Sequence, residues 1–229
     1  MASIVIEGHL RKVLPTKSHR ATVIFSHGLG QYNATWAHLV LVAFAPHFPH
    51  VLWILPQSAH RPVAMSPGQT RPAWFNMWRL PPQPHEFDEI GISESIQFIE
   101  SIIIAQVASG IDSRRIVLAG FSQGAALSLM VGLTSLYELG GIISMSGWIP
   151  NRMREQMIHA NVQLPILWCH GTRDSEIPES YGMEACSFMR NTLRISDKML
   201  SYRRYEGLGH TINDPELDGI ISWLADVLS

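Results

Sequence analysis

Short apolar runs with little polar alternation recur along the chain and predict buried strands. The clearest run, ATVIFS at residues 21–26, ends in a turn that contains Gly28 and Gly30. Five further runs have the same character, at residues 51–55, 115–119 with Phe121 beyond, 139–145, 165–169 and 200–205. Because strands that are buried on both faces lack alternation, these runs predict a mostly parallel sheet.

Helical spacing occurs between these runs. An apolar stripe at spacings of four, three and four residues is formed by Ile92, Ile96, Ile99 and Ile103. Another helix is predicted over residues 35–44, and a last one is predicted with Asp214 as N-cap and Pro215 in its first position. The apolar face of this last helix is Leu217, Ile220, Ile221, Leu224 and Leu228. Alternating strands and helices predict one α/β domain over residues 1–229, with helices on both faces of the sheet.

One long segment interrupts the alternation. Residues 56–84 hold seven of the 14 prolines, together with Trp74, Phe75 and Trp78. Connections of this length are usually functional or disordered, and the aromatic content favours an ordered loop packed over the domain. Two roles stay open for Trp74 and Trp78: they fix the loop to the core, or they form the wall of a binding site.

The strongest chemical signal is a G-x-S-x-G motif at residues 120–124. It follows the apolar strand at residues 115–119 directly and opens a segment rich in helix formers, AALSLM. Strand, sharp turn and helix are the setting of a nucleophile elbow, in which flanking glycines permit a strained turn that exposes the serine Oγ. The motif therefore predicts Ser122 as a nucleophile.

A serine nucleophile needs a base, and the base needs an orienting carboxylate. His210 lies in a glycine-containing loop after the strand at residues 200–205, and no other histidine follows residue 171. The acid is expected between the serine and this histidine. Asp174, just after the strand at residues 165–169, is favoured over Asp197, which lies in a polar stretch. The glutamates, Glu176 and Glu179 included, are weaker candidates for the acid.

Acyl transfer also requires hydrogen-bond donors for the oxyanion. The backbone N–H of Gln123, which follows the nucleophile, is one candidate. Leu29 N–H is the other, because the turn after the strand at residues 21–26 contains glycines that let the backbone approach a ligand. His27 in the same turn is interpreted as structural.

Composition narrows the class of protein. The chain has 229 residues, of which 46% are hydrophobic and 16% charged, and its formal charge of -2 argues against a nucleic-acid partner. The N-terminal residues predict no secretory signal and the apolar runs are too short for a membrane span, so a cytoplasmic protein is expected. Two buried thiols are the simpler interpretation of Cys169 and Cys186, and a disulfide between them stays open. His47 and His50 lack a carboxylate partner, so no metal is predicted, and no cofactor is expected.

Taken together, these segments resemble the acyl-protein thioesterase family, also called the phospholipase/carboxylesterase family of α/β-hydrolases. The resemblance runs from about residue 21 to residue 228. It is carried by FSHGLG (25–30), RPAWFNMW (71–78), RIVLAGFSQGAALSL (115–129), SGWIP (146–150), CHGTRDSEIP (169–178) and YEGLGH (205–210). The chain departs from the usual family wording at Gln31, Asn76 and Ala125, and Gln31 and Asn76 are expected near the entrance of the acyl group.

The resemblance implies an α/β-hydrolase fold in which a short proline- and aromatic-rich loop replaces a large lid. It implies a serine hydrolase that cleaves thioesters or carboxylic esters with apolar acyl groups through an acyl-enzyme. Its implied catalytic and oxyanion residues agree with those assigned above. Residues implied to line the acyl groove are Trp74, Phe75, Trp148 and Ile177. The implied substrates include S-acylated proteins and lysophospholipids, and a monomer or weak homodimer is expected.

Other functions stay open at this point. The enzyme could be a small-molecule carboxylesterase, or a biosynthetic enzyme that transfers the acyl group to an alcohol or an internal nucleophile. A non-catalytic acyl-binding module would have to explain why Ser122, Asp174 and His210 are all present. A dienelactone hydrolase is disfavoured, because that chemistry uses cysteine at the position of Ser122.

Overall fold

The described part of the chain contains ten strands and five α-helices. The computed structural model describes residues 2–228. The strands are β1 (Ile4–Glu7), β2 (Leu10–Val13), β3 (Ala21–Ser26), β4 (Val51–Pro56), β5 (His60–Pro62), β6 (Thr70–Pro72), β7 (Ile116–Phe121), β8 (Gly141–Met145), β9 (Ile166–Gly171) and β10 (Leu200–Tyr205). The helices are α1 (Asn33–Leu39), α2 (Glu89–Ala108), α3 (Gln123–Thr134), α4 (Glu179–Asn191) and α5 (Asp214–Val227).

Eight strands form one sheet in the order β1-β2-β4-β3-β7-β8-β9-β10. The six strands from β4 to β10 are parallel to one another, and β2 pairs antiparallel with β4 at the other edge. All six strands of the parallel part were predicted, within two residues at each end. The antiparallel hairpin of β1 and β2 was not predicted, because its short strands are half-exposed and lack a continuous apolar run.

The sheet separates two apolar cores, because successive side chains of a strand point to opposite faces. In β3, Val23 and Phe25 belong to a core that α1 and α5 cover, whereas Ile24 belongs to a core that α2, α3 and α4 cover. Helices therefore lie on both faces, as predicted. All six residues of β3 and all six of β7 are buried, which explains why the sequence shows no alternation there.

Two helix predictions need correction. The helix predicted over residues 35–44 begins two residues earlier as α1 and continues as a π-helical turn, Val40–Phe44. The predicted N-cap of the last helix, Asp214, was wrong by one residue. Asn213 is the cap, because its backbone is extended and its side chain accepts a hydrogen bond from the N–H of Glu216 at 3.0 Å.

Helix α2 is the one described helix that is long and apolar enough to cross a membrane, judged by length and composition. That is weak evidence for a membrane span, because the core helix of a soluble protein passes the same test. In this fold the helix has a clear packing role. Ile92, Ile99 and Ile103 are buried against the core, and 39% of its most apolar window is buried.

The segment between β4 and α2 is ordered by a small sheet of its own. Within it β5 and β6 pair antiparallel. Trp74 and Phe75, just after β6, are buried, whereas Trp78 is 40% exposed. The two cysteines, Cys169 and Cys186, are buried free thiols, as the simpler interpretation of the sequence predicted.

A buried carboxyl group lies in the first turn of α5. Glu216 is 2% exposed, and its Oε2 has no hydrogen-bond partner among the described residues. Burial raises the pKa of Glu216 from its ordinary value of 4.5 to about 8. The folded protein therefore favours the protonated form of this side chain at neutral pH.

Replacing Glu216 tests whether its buried carboxyl group is protonated in the folded protein. Between pH 4.5 and about 8 the unfolded chain loses the Glu216 proton while the folded chain retains it, so the free energy of unfolding falls as pH rises. Glu216→Gln carries no such proton. We expect the stability of the variant relative to the native chain to increase by about 3 kcal/mol from pH 4.5 to pH 7, measured by urea unfolding.

The control is Asp218→Asn, which removes an exposed carboxylate from the same helix. Its stability relative to the native chain should stay nearly constant over this pH range. A Glu216→Gln curve that stays parallel to that of the native chain would show that Glu216 is charged in the folded state.

Candidate active site

Ser122 lies in a strained turn between β7 and α3. Its φ of 55° and ψ of -120° are unusual for a residue with a side chain. A Cβ placed on Gly124 would lie 2.1 Å from the carbonyl oxygen of Ser26, and a Cβ on Gly120 would lie 2.3 Å from the carbonyl oxygen of Gly124. Both glycines of the motif are therefore required by close backbone packing around the serine.

Three side chains that the sequence places far apart form one hydrogen-bonded chain. His210 Nε2 lies 2.9 Å from Ser122 Oγ, and His210 Nδ1 lies 2.7 Å from Asp174 Oδ2. The Asp174 carboxylate is fully buried, and the His210 side chain is 9% exposed. With the Nδ1–H donated to the carboxylate, the Nε2 lone pair faces the serine hydroxyl, which is the arrangement in which a base can accept its proton.

The Asp174 carboxylate is held ionised by its donors. Its Oδ1 accepts the backbone N–H of Glu176 at 3.0 Å and that of Ile177 at 2.9 Å. Burial acts to raise the pKa of Asp174, but hydrogen bonds from His210, from the Ile177 N–H and from the Ser146 side chain outweigh it, so the pKa is lowered. An ionised carboxylate beside His210 can stabilise the imidazolium that forms when the ring takes up a proton.

A second histidine, not singled out in the sequence, supports the loop of Asp174. His170 is completely buried at the end of β9, and its Nε2 donates to the carbonyl oxygen of Ile177 at 2.7 Å. Its Nδ1 accepts the indole N–H of Trp168 at 3.2 Å. Desolvation by burial lowers the pKa of His170, so the ring stays neutral. The only sequence signal was its position at a strand end, four residues before the predicted acid.

The loop that carries His210 is attached to the loop of the acid. The N–H of Arg173 donates to the carbonyl oxygen of Leu208 at 2.9 Å, and the N–H of Thr172 donates to that of Tyr205 at 3.0 Å. The ring of Phe121, next to Ser122 in sequence, packs against the His210 imidazole with centroids 4.8 Å apart. The backbone hydrogen bonds hold the loop of His210, and the Phe121 ring holds its imidazole.

The turn after β3 presents the other predicted oxyanion donor. Around Leu29, the N–H of Gly30 donates to the carbonyl oxygen of Pro72 at 2.8 Å, and the N–H of Gly28 donates to the side-chain oxygen of Gln31 at 2.8 Å. That oxygen also accepts the indole N–H of Trp36 at 2.9 Å. Gln31 therefore fixes the turn from within, a role that the sequence did not reveal.

His27 is placed as a structural residue of this turn. The ring is 1% exposed, its Nδ1 donates to the carbonyl oxygen of Gly28 at 2.7 Å, and its Nε2 accepts the N–H of Ser58 at 3.1 Å. Desolvation by burial lowers the pKa of His27 to about 4. The ring is thus neutral at pH 7 and fixes the backbone on both sides of it.

The side chain of Gln123 fastens the aromatic loop over the site. It is completely buried, and its oxygen accepts the N–H of Trp74 at 2.9 Å while its amide donates to the carbonyl oxygen of Phe75 at 2.7 Å. The indole N–H of Trp74 donates to the carbonyl oxygen of His27 at 2.7 Å. Because its backbone N–H and its indole N–H both donate to buried groups of the core, Trp74 fixes the loop to the core. The first N–H groups of a helix have no partner within it, so the N–H of Gln123, the first residue of α3, is the kind of donor that the oxyanion prediction requires.

The other residues implied to line the acyl groove lie close to this loop. Phe75 and Trp148 contact each other edge to face, with centroids 6.2 Å apart, and both are about 5% exposed. Ile177 is completely buried beside the acid. Two of the weaker acid candidates lie elsewhere: Asp197 is exposed and pairs with Arg190, and Glu179 pairs with Arg204.

Comparison with known proteins identifies the family of the chain. A model of the phospholipase/carboxylesterase family matches residues 8–228. The chain belongs to this family. Among its relatives are proteins named acyl-protein thioesterase 1 from Cryptococcus neoformans (strain JEC21), 33% identical over 95% of this chain and 96% of the relative, and from Yarrowia lipolytica, 36% identical over 93% and 95%.

Solved structures place the fold in the same group. The crystal structure of Arabidopsis thaliana SOBER1 superposes with a TM-score of 0.83 at 28% identity, over 92% of this chain and all of that chain. The crystal structure of Zea mays acyl-protein thioesterase 2 gives a TM-score of 0.83 over 97% of this chain and all of that chain; at 23% identity it supports the fold alone. The predicted α/β-hydrolase fold and family are confirmed, and the protein is a hydrolase of ester or thioester bonds.

The residues that depart from the usual family wording have structural partners. Gln31 holds the turn after β3, as described above. Asn76 ties the aromatic loop together, because its Oδ1 accepts the N–H of Ala64 at 2.8 Å and its own N–H donates to Asp88 at 2.7 Å. Ala125 is completely buried, and a Cβ on Gly147 would lie 2.9 Å from the Ala125 methyl group. A small residue is therefore needed in this position of α3.

One carboxylate remains beside the reacting atoms. Glu176 Oε2 lies 3.7 Å from His210 Nε2, and the Glu176 side chain is 53% exposed. Its backbone N–H is held by Asp174, which directs the following residues around the site. A negative charge at this position faces any substrate that approaches Ser122.

The Gln123 side chain offers a first test of the site. Gln123→Ala keeps the backbone N–H but leaves the N–H of Trp74 and the carbonyl of Phe75 without partners in a buried place. We expect the free energy of unfolding to fall by about 3 kcal/mol, measured by chemical denaturation. Gln97→Ala on the exposed face of α2 is the control and should change stability little. Equal effects of the two substitutions would contradict the buried role of Gln123.

The charge of Glu176 offers a second test. For an ester with a carboxylate on its acyl chain, Glu176→Gln should raise kcat/KM about two- to fivefold at low salt, because it removes repulsion between exposed charges. The gain should shrink at high ionic strength. Glu138→Gln, exposed at the opposite end of the parallel strands, is the matched control. No gain with the anionic ester would show that this charge does not face the substrate.

Proposed function

We propose that the protein hydrolyses esters or thioesters of apolar acids by a two-step acyl-enzyme mechanism. Ser122 is the nucleophile, His210 the general base and Asp174 the residue that orients it. The backbone N–H groups of Leu29 and Gln123 bind the oxyanion. The observation that carries this proposal is the continuous chain of hydrogen bonds, 2.7 Å and 2.9 Å long, from the Asp174 carboxylate through His210 to Ser122 Oγ.

Acylation begins when His210 Nε2 takes the proton of Ser122 as Oγ attacks the acyl carbon. The carbonyl oxygen becomes negative and accepts the two backbone N–H groups, one from the oxyanion turn and one from the first turn of α3. His210 then gives its proton to the leaving oxygen or sulfur as the bond from the acyl carbon to that atom breaks. The products are an ester on Ser122 and a free alcohol or thiol.

Deacylation repeats these steps with water. His210 removes a proton from the water as its oxygen attacks the acyl-enzyme, and then returns the proton to Ser122 Oγ as the acid leaves. Asp174 stays ionised throughout and stabilises the imidazolium. The lowered pKa of its carboxyl group favours this role.

On the acyl side we place the aromatic pair of Phe75 and Trp148, with Trp74 and Ile177 behind them. These four side chains are apolar over most of their surface and buried, so they favour an apolar acyl chain over a charged one. The relatives named acyl-protein thioesterase 1 support S-acylated proteins as candidate substrates. Lysophospholipids and small carboxylic esters fit the same chemistry.

The test compares the native enzyme with Ser122→Ala on p-nitrophenyl esters and on thioesters with acyl chains of two to sixteen carbons. We expect Ser122→Ala to lower kcat by about 10⁴-fold or more on every substrate. The native enzyme should turn over best at eight carbons or more, because a longer chain buries more apolar surface against Phe75 and Trp148.

Trapping of the intermediate separates mechanism from substrate choice. With a slow ester, mass spectrometry should detect the acyl group on the native chain and not on Ser122→Ala, while circular dichroism shows that both are folded. Activity that survives in Ser122→Ala would overturn the mechanism. Optimal turnover at two to four carbons would instead assign the protein to small-molecule carboxylesterases.

A further inference from the structure

A separate cavity adjoins the site on the side of the base. It has a volume of about 470 Å³ and lies between α1 and the loop that carries His210. One wall is formed by Gly30, Gln31 and Tyr32, which follow Leu29 directly, and the other by His210 and Ile212. Phe121, which precedes Ser122, also lines it. These lining residues are close in the chain to Leu29, Ser122 or His210, and Thr35, Trp36 and Leu39 of α1 complete the lining.

We infer that this cavity binds the leaving group of the substrate, and that it selects a neutral, apolar alcohol or thiol. The inference rests on the proposed acyl-enzyme mechanism. With the carbonyl oxygen at the N–H groups of Leu29 and Gln123, the leaving atom must face His210 Nε2 to be protonated. The group attached to that atom then extends along the His210 ring into the cavity.

The lining determines the chemistry that the cavity accepts. In the part of the chain that the structure describes, no Lys, Arg, Asp or Glu lines it. The indole N–H of Trp36 is already donated to Gln31, so the ring contributes apolar surface. Glu176 Oε2, 3.7 Å from His210 Nε2, lies outside this lining on a side chain that is 53% exposed. A charged group would therefore lose water in the cavity without a buried partner of opposite charge, which is unfavourable.

A quaternary ammonium held by aromatic rings is the main competing occupant. Two of the three aromatic rings in the lining are already packed, because Trp36 contacts Phe25 at 4.6 Å and Phe121 at 5.5 Å, and Phe121 in turn packs against His210. The third ring, Tyr32, is 51% exposed, so it leaves a cation in water rather than enclosing it. His210 also becomes positive during acylation, and it would then repel a cation held beside it.

Three butyrate esters test the inference: the methyl ester, the 3,3-dimethylbutyl ester and the choline ester. The last two alcohols have the same shape and differ by carbon against a positively charged nitrogen. The comparison uses kcat/KM, which covers the steps through acylation and does not depend on deacylation. We expect kcat/KM for the 3,3-dimethylbutyl ester to exceed both others by about tenfold or more, since burying two carbons supplies about that factor.

A variant locates the selectivity in the cavity. Thr35 is exposed on α1 and lines the cavity, so Thr35→Trp should fill it. The ratio of kcat/KM for the 3,3-dimethylbutyl ester to kcat/KM for the methyl ester should fall at least fivefold, because a filled cavity no longer favours the larger alcohol. Ala34→Trp, exposed on the same helix and outside the lining, is the matched control and should leave the ratio unchanged.

The outcomes separate the two proposals. Loss of hydrolysis of all three esters in Ser122→Ala upholds the mechanism, and activity that survives overturns both proposals. With the mechanism upheld, a choline ester that is cleaved as well as its neutral isostere overturns the inference. So does a methyl ester cleaved as well as the larger one, or a ratio that Thr35→Trp leaves unchanged.

Discussion

The close packing of Gly124 against the end of β3 is the constraint on which the site depends. Because Ser26 and Gly120 are partners in adjacent parallel strands, β3 and β7 end at the same edge of the sheet. The missing side chain of Gly124 lets α3 begin directly over the carbonyl of Ser26. This contact brings the serine turn and the turn after β3 together. The order of the strands therefore places the proposed nucleophile close to both proposed oxyanion donors.

Buried polar groups keep these turns in place. The amide of Gln123 and the neutral ring of His27 each use both of their hydrogen-bonding ends on backbone groups of neighbouring segments. Such networks are favourable only when every member is satisfied, because an unpaired buried group is costly. Burial keeps the pKa of His27 at about 4, so the network does not change charge near neutral pH. Desolvation makes His27 a poor base, but it also keeps the ring neutral, so its hydrogen bonds do not change with pH near neutrality.

The sequence was sufficient for features that depend on local pattern or on chain order. The six parallel strands follow from apolar runs, and Ser122, Asp174 and His210 follow from a motif, a strand end and a loop. Features that depend on contacts between distant segments were missed. The predicted N-cap of α5, Asp214, was one residue too late. Asn213 and Asp214 are both good capping residues, and only the backbone conformation selects Asn213. The support given by His170 and Gln31 needs partners that no spacing along the chain reveals.

Gln31 belongs both to the turn that carries the proposed oxyanion donor Leu29 and to the cavity proposed for the leaving group. Its side-chain oxygen accepts the N–H of Gly28 within the oxyanion turn and the indole N–H of Trp36, and the same residue forms part of the cavity beside His210. Under the two proposals, a substitution that reshapes the cavity at Gln31 also releases the turn that carries Leu29, and it therefore weakens oxyanion binding. Thr35, Leu39 and Ile212 line the same cavity from α1 and from the loop after His210. The side-chain hydrogen bonds described above for the turn come from other residues, His27, Gln31 and Trp36. Variation in the leaving group is therefore more readily accommodated from these residues, while the turn and the serine keep their geometry.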